Sequence, residues 1–107
     1  DNSEPLEETI QYLLNYVIHS EIIFIRNNQK HSGSEAAAHM KKKYDYYQDK
    51  ITISEDFIEL AATKSMISGN PYLVIVDDKE LRTAQWLLDA LAEYRYQNPT
   101  ERQQEIK

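Results

Sequence analysis

Ile22-Ile23-Phe24-Ile25, closed by Arg26-Asn27-Asn28, is the run on which the fold of this chain turns. Behind it, Leu6, Ile10, Leu13, Leu14, Val17 and Ile18 recur at helical spacing and mark one helix face. Pro5 suits a first turn, and Glu4, Glu7 and Glu8 suit the positive end of the helix dipole. Taken as the continuation of that helix, Ile22 to Ile25 is apolar on every side. That is the pattern of a helix end surrounded by the rest of the protein, with Asn27-Asn28 ending it.

Working outward, Ser32 followed by Glu35 is a capping-box pattern and predicts a second helix to about Tyr47. Ala36, Met40, Tyr44 and Tyr47 share one face of it, and Lys43 falls inside that apolar arc. A third helix is expected from Ser54, with Thr52 as the competing cap, through Phe57, Ile58, Leu60, Ala61 and Ile67. Ser68-Gly69-Asn70-Pro71 stops it, with glycine supplying the left-handed position and proline preventing continuation. Tyr72 to Val76 reads as a strand, Asp77-Asp78-Lys79 as a turn, and Glu80 to Arg82 as a return strand. A lone hairpin is marginal and must pack on helices or pair with another chain. Thr83 caps a last helix whose face is Leu87, Ala90, Leu91 and Tyr94. The expected architecture is mainly α: four helices in a single domain over 1–97, with a small β-hairpin between the third and last helices. A polar tail covers 98–107. No internal repeat is evident.

The composition agrees with this. The chain has 107 residues, enough for one modest core, with 41% hydrophobic and 28% charged residues. Two glycines and three prolines favour long helices over a turn-rich β fold. The net charge is -6, and Lys41-Lys42-Lys43 is the only basic run, so nucleic acid is not an expected partner. There is no cysteine, which excludes thiol catalysis, disulfides and cysteine zinc sites. No apolar run reaches the ~18 residues that span a bilayer. The opening Asp1-Asn2-Ser3 is the polar start expected of a processed or trimmed chain.

Polar residues interrupt the apolar patterns at Arg26, Glu35, His39, Lys43, Ser65, Ser68 and Tyr72. Glu35, His39 and Lys43 form one line along the second helix, a carboxylate, an imidazole and an ammonium. Arg26 ends an apolar run, where its guanidinium would clamp a carboxylate or phosphate, or pair with an acid such as Glu55. His31, Glu35 and His39 have zinc-like chemistry, but His31 precedes the helix cap, and no metal or cofactor is assigned. Ser65 or Ser68 with His39 as base would make a hydrolase. Neither serine sits in a nucleophile-elbow motif, so no catalytic residue is assigned.

The same residues carry a resemblance. Phe24-Ile25-Arg26-Asn27, then Glu35-Ala36 with His39 and Lys43, then Glu55-Asp56-Phe57-Ile58-Glu59, then Ser65 with Ser68-Gly69 and Pro71-Tyr72, resemble the YfeK-like family of small exported bacterial proteins of unknown function. Trp86-Leu87 and Tyr94-Arg95 look similar as well. Asn28, Met40 and Ser54 stand where that family tends to have Gly, Leu and Ala. The resemblance implies a signal peptide on the precursor and a periplasmic or secreted location. It implies no activity.

The reading is therefore a non-enzymatic domain of the cell envelope that binds a small polar or zwitterionic ligand, or a short peptide. Its site is lined by Arg26, Glu35, His39, Lys43 and Tyr72, with Ser65 and Ser68 nearby. The alternative is the small Ser/His hydrolase acting on an envelope polymer or ester.

Overall fold

A computed structural model describes residues 5–65 and 68–98. Helix α1 spans Leu6–Ile18 and stops well short of Ile25. The cause is local. The Ser20 hydroxyl donates to the Val17 carbonyl, and Glu21 takes a left-handed φ of 59° that a helix cannot pass. Beyond it, the β-branched run is free to extend. β1 (Ile23–Arg26) turns at Asn27-Asn28 into β2 (Gln29–His31), pairing Phe24 with His31 and Arg26 with Gln29. Both turn asparagines have positive φ, 53° and 65°, the backbone a two-residue type I′ turn demands.

α2 (Gly33–Tyr46) follows, opened by the reciprocal capping box of Ser32 and Glu35. A single 3-10 turn leads to α3 (Ser54–Ala61). Ile53 is its N-cap residue, so the cap is neither Ser54 nor Thr52. The capping acid is Asp56, whose carboxylate accepts from the amides of Thr52 and Ile53 and from the Thr52 hydroxyl. These bonds hold the Asp56 carboxyl below its ordinary pKa. α3 also ends earlier than its apolar pattern suggests: Ala62 leaves helical φ, and the Thr63 hydroxyl donates to the Ile58 carbonyl. Gly69 does have positive φ, 77°, but as part of the loop after α3 rather than its cap. Ile67, expected on the buried face of the third helix, lies outside the described residues.

β3 (Leu73–Val76) and β4 (Lys79–Arg82) form the expected hairpin, with Asp77 and Asp78 at φ 52° and 67°. α4 (Thr83–Gln97) closes the chain's described part. The lone hairpin's missing partner is the other hairpin. β1 pairs antiparallel with β3, and the sheet order is β2-β1-β3-β4. The fold is therefore not mainly α with one small hairpin. It is four helices packed on one side of a four-stranded antiparallel sheet. The error lies in Ile22–Ile25, where a strand follows a helix without a break in hydrophobicity.

The architecture is also a structural repeat that residue identity hides. Helix, hairpin and helix occur twice in the same order, α1-β1-β2-α2 and α3-β3-β4-α4. One constant offset relates Asn27-Asn28 to Asp77-Asp78 and Gly33 to Thr83, the first residues of α2 and α4. Phe24 and Val74 correspond under that offset and pair directly, so a pseudo-twofold axis passes between β1 and β3.

The core fills the space between helices and sheet. Ile10, Leu13 and Val17 of α1 meet Met40 and Tyr44 of α2, Phe57, Ile58 and Ala61 of α3, Leu87 and Leu91 of α4, and Phe24 and Val74 from the sheet. Tyr12 and Tyr16 of α1 lie against Tyr94 and Trp86 of α4 at centroid distances of 4.4 and 4.9 Å. Burying these residues is the main stabilising term.

Candidate functional site

Between α2 and the sheet lies a half-open cavity in which the centres of water-sized molecules have about 70 Å³, room for a small ligand only. Its apolar wall is Phe24, Ala36 and Met40, with the β1 strand at Ile25 along its rim, and its polar lining is Arg26, His31, Glu35, His39, Tyr72 and Thr83. The local folding explains the assembly. The tight Asn27-Asn28 turn returns the chain so that His31 lies opposite Phe24. The capping box then starts α2 beside it, so that Glu35 and His39 come up one helix face. Tyr72 enters just ahead of β3, and Thr83 just after β4.

Of the seven predicted residues, Arg26, Glu35, His39 and Tyr72 line this cavity. Lys43 adjoins it. Its Nζ donates to the Tyr72 hydroxyl at 2.8 Å and to the Lys64 carbonyl at 3.1 Å, and lies 5.0 Å from the centre of the Tyr72 ring. An amine inside an apolar arc is expected to reach a carboxylate first, from Glu55, Asp56 or Glu59, or else a backbone carbonyl, a tyrosine hydroxyl or water. The carbonyl and the hydroxyl are what it reaches. Glu55 instead takes a two-pronged bond from Arg95, which holds its carboxyl below the ordinary range, and Asp56 serves as a cap. Arg26 therefore does not pair with Glu55 either.

Ser65 and Ser68 do not join the cavity lining. The Ser68 hydroxyl donates to the Asn27 side-chain carbonyl, and the Ser68 amide donates to the Ser65 hydroxyl. His39 is bonded to Tyr72 instead of a serine. The serine–histidine constellation is thus not assembled. His31 and Glu35 meet at 3.3 Å, but among the described residues no three acidic, histidine or cysteine side chains form a metal-binding group.

A directed chain runs Lys43–Tyr72–His39. The ammonium can only donate, so the Tyr72 oxygen accepts from it. The Tyr72 proton is then free for His39 Nε2 at 3.1 Å. This requires a neutral His39, and its surroundings enforce neutrality. Burial first, then the charges of Arg26, Lys43 and Lys42 and the nearby His31, push its pKa down from 6.5 to about 4. Between those values the unfolded state binds the proton and the folded state does not. His39 therefore makes stability fall as pH drops from 6.5 toward 4.

Lys43 carries a test of this chain. Replacing it by methionine keeps the packed stem, whereas alanine loses both stem and donor. We expect Lys43→Met to cost about 1 kcal/mol less than Lys43→Ala in urea unfolding, by the usual value of a few buried methylenes. Equal and negligible losses would show a solvated surface lysine.

Two functional candidates escape sequence reasoning, His31 as a wall residue and Thr83. His31 precedes the capping box, so its helical spacing to Glu35 did not establish a direction. Thr83 looks like a cap, but the N-cap residue is Arg82. The Thr83 hydroxyl is instead buried without a partner, and so are Arg26 Nε and His31 Nε2. All three atoms belong to residues lining the one cavity. With His31 Nδ1–H donating to Glu35, Nε2 carries a lone pair when the ring is neutral.

Residues 4–95 match the model of DUF5329, a family of unknown function. The chain belongs to this family. Over 67 residues it is 34% identical to "Uncharacterized protein YfeK" of Salmonella typhimurium strain LT2, covering 62% of this chain and 56% of that protein. The aligned stretch thus spans little more than half of that relative. The YfeK-like resemblance read from Phe24 to Tyr72 is borne out. No solved structure matches. No helix among the described residues is long and apolar enough to cross a membrane.

Proposed function

We propose that this protein is a binding domain whose cavity takes a small carboxylate that also bears a hydroxyl or ammonium donor. The observation that carries the reading is the set of three buried, unpartnered atoms at one cavity: Arg26 Nε, His31 Nε2 and Thr83 Oγ1. Each such atom costs about 1–3 kcal/mol of desolvation in the empty protein, which a ligand that reaches it on binding would recover. Arg26 Nε offers a donor to a carboxylate. The His31 lone pair asks for a donor from the ligand. Phe24, Ala36 and Met40 accommodate an apolar substituent. The His39 pKa is depressed first by burial and then by the charges of Arg26, Lys43 and Lys42, and those three cations favour an anion here in a chain that is negative overall. Amino acids and hydroxy acids with apolar side chains meet these requirements.

The proposed location is the cell envelope. It rests on the resemblance to exported proteins and is tested by fractionating cells that express the full-length precursor.

Thr83→Val separates a binding role from a structural one. Valine keeps the β-branched shape and removes the unsatisfied hydroxyl. We expect the ligand-free variant to be as stable as the parent, or up to about 1–3 kcal/mol more stable. We also expect it to lose the thermal shift that leucine, phenylalanine or 3-phenyllactate produces in the parent. Lys41→Gln, at an exposed lysine bonded to Asp45, should keep the shift. Destabilisation by Thr83→Val, or no parental shift with any of these probes, would overturn the reading.

A further inference from the structure

The sheet has two faces, and only one belongs to the core. Alternation puts Tyr72, Phe24 and Val74 inward, all nearly inaccessible. Ile23, Ile25, Leu73 and Ile75 point the other way, and none of the four belongs to the hydrophobic core or packs against it. The pairing sets them side by side, Ile23 opposite Ile75 and Ile25 opposite Leu73, across the two central strands. Ile23 is 41% exposed. Ile25, Leu73 and Ile75 are half-buried, and with Ile23 they form one contiguous aliphatic block on this face rather than scattered surface hydrophobics. The strand edges, by contrast, carry Lys30 on one side and Lys79, Glu80 and Arg82 on the other, which disfavours strand-to-strand addition. The surface available to a partner is therefore the face.

We infer that the partner is a second copy of this chain, packed sheet face to sheet face about a twofold axis running across the strands. The charges select this arrangement. Arg82 lies in the row of Ile25 and Leu73, with Lys30 at the far end, while Glu80 lies in the row of Ile23 and Ile75. An axis across the strands exchanges the two rows and keeps the strand order. Each Arg82 then faces Glu80 of the other copy, Leu73 faces Ile75, and Ile25 faces Ile23. An axis along the strands would instead set Arg82 over Lys30, like on like, twice. Such an interface is isologous and self-complementary. Four strands at ~4.8 Å and four residues at ~3.4 Å give a footprint of about 19 by 14 Å. This is well below the ~800 Å² per partner of a standard interface. The dimer is accordingly weak, dissociating in the high-micromolar range by that comparison.

Sedimentation velocity of the full chain from about 10 μM to about 1 mM brackets that range. The parent should shift from monomer toward dimer. Ile23→Lys, at a position exposed enough to leave the fold intact, should stay monomeric with an unchanged circular dichroism spectrum and melting temperature. Glu80→Arg should weaken association about tenfold, because it sets like charges together in both symmetric pairs. Glu80→Arg combined with Arg82→Glu should restore association. A parent that stays monomeric throughout, an Ile23→Lys variant that associates like the parent, or a charge reversal that the second change does not rescue would each overturn the inference.

Discussion

Alanine at Gly33 is expected to destabilise the protein by about 2–3 kcal/mol, the cost of overpacking at a site with no room. Helix propensity alone predicts the opposite, a gain of about 1 kcal/mol for Ala over Gly inside a helix. The structure decides between them. Gly33 is the first residue of α2 and is buried. A Cβ there would collide with the Val17 carbonyl oxygen and sit 3.1 Å from the Ile18 carbonyl oxygen. These are backbone atoms at the end of α1, so no side chain can swing aside. The close approach of α1 and α2 depends on a residue without a side chain. Urea unfolding of Gly33→Ala measures it, and increased stability would show that the two helices do not meet as described.

Phe57→Ala is expected to cost about 3–5 kcal/mol, the usual range for emptying a buried aromatic site. Phe57 is fully inaccessible and lies at the centre of the core. Its ring meets Tyr44 edge-on at 5.8 Å and 83°, a geometry that adds about 0.5–1.5 kcal/mol beyond burial. Domains of this kind have only about 5–15 kcal/mol to lose, so the variant should be marginal at room temperature. Tyr46→Ala is the contrast: Tyr46 is 81% exposed, and its loss should be within about 0.5 kcal/mol. A Phe57→Ala loss below that of Tyr46→Ala, both read from urea unfolding, would refute the placement of the core.

Much of this fold is legible in the residues, and the exceptions have causes. The β3–β4 hairpin reads clearly because the polar Asp77-Asp78 pair ends a short apolar, β-branched run. β1 and β2 do not, although Asn27-Asn28 makes the same turn. Ile22–Ile25 continues the hydrophobicity of α1, and the left-handed Glu21 that separates them has no side-chain signature. A helix and a buried strand joined end to end look alike in a hydrophobic run. The end of α3 was masked in a similar way by the stronger Gly69-Asn70-Pro71 stop signal downstream.

The site divides along the same line. Arg26, Glu35, His39 and Tyr72 stood out because each is polar at the border of an apolar pattern, and the cavity unites them. Ser65 and Ser68 stood out equally but satisfy the loop around Asn27 and Gly69. Thr83 could not be recognised, since a threonine starting a helix usually serves the backbone. Its unpartnered hydroxyl is visible only in three dimensions.

The central claim, an anion held beside Arg26 in this cavity, is tested most directly at His39. Its imidazole should titrate at about 4 in the free protein, observed by NMR. Saturation with 3-phenyllactate should offset the Arg26 charge and raise that value. The complex then takes up a proton that the free protein does not, so affinity should increase as pH falls from 6.5 toward 4. In Arg26→Gln the ligand-induced rise should disappear. A free His39 titrating near 6.5, or a value that saturating 3-phenyllactate leaves unchanged, would contradict the account.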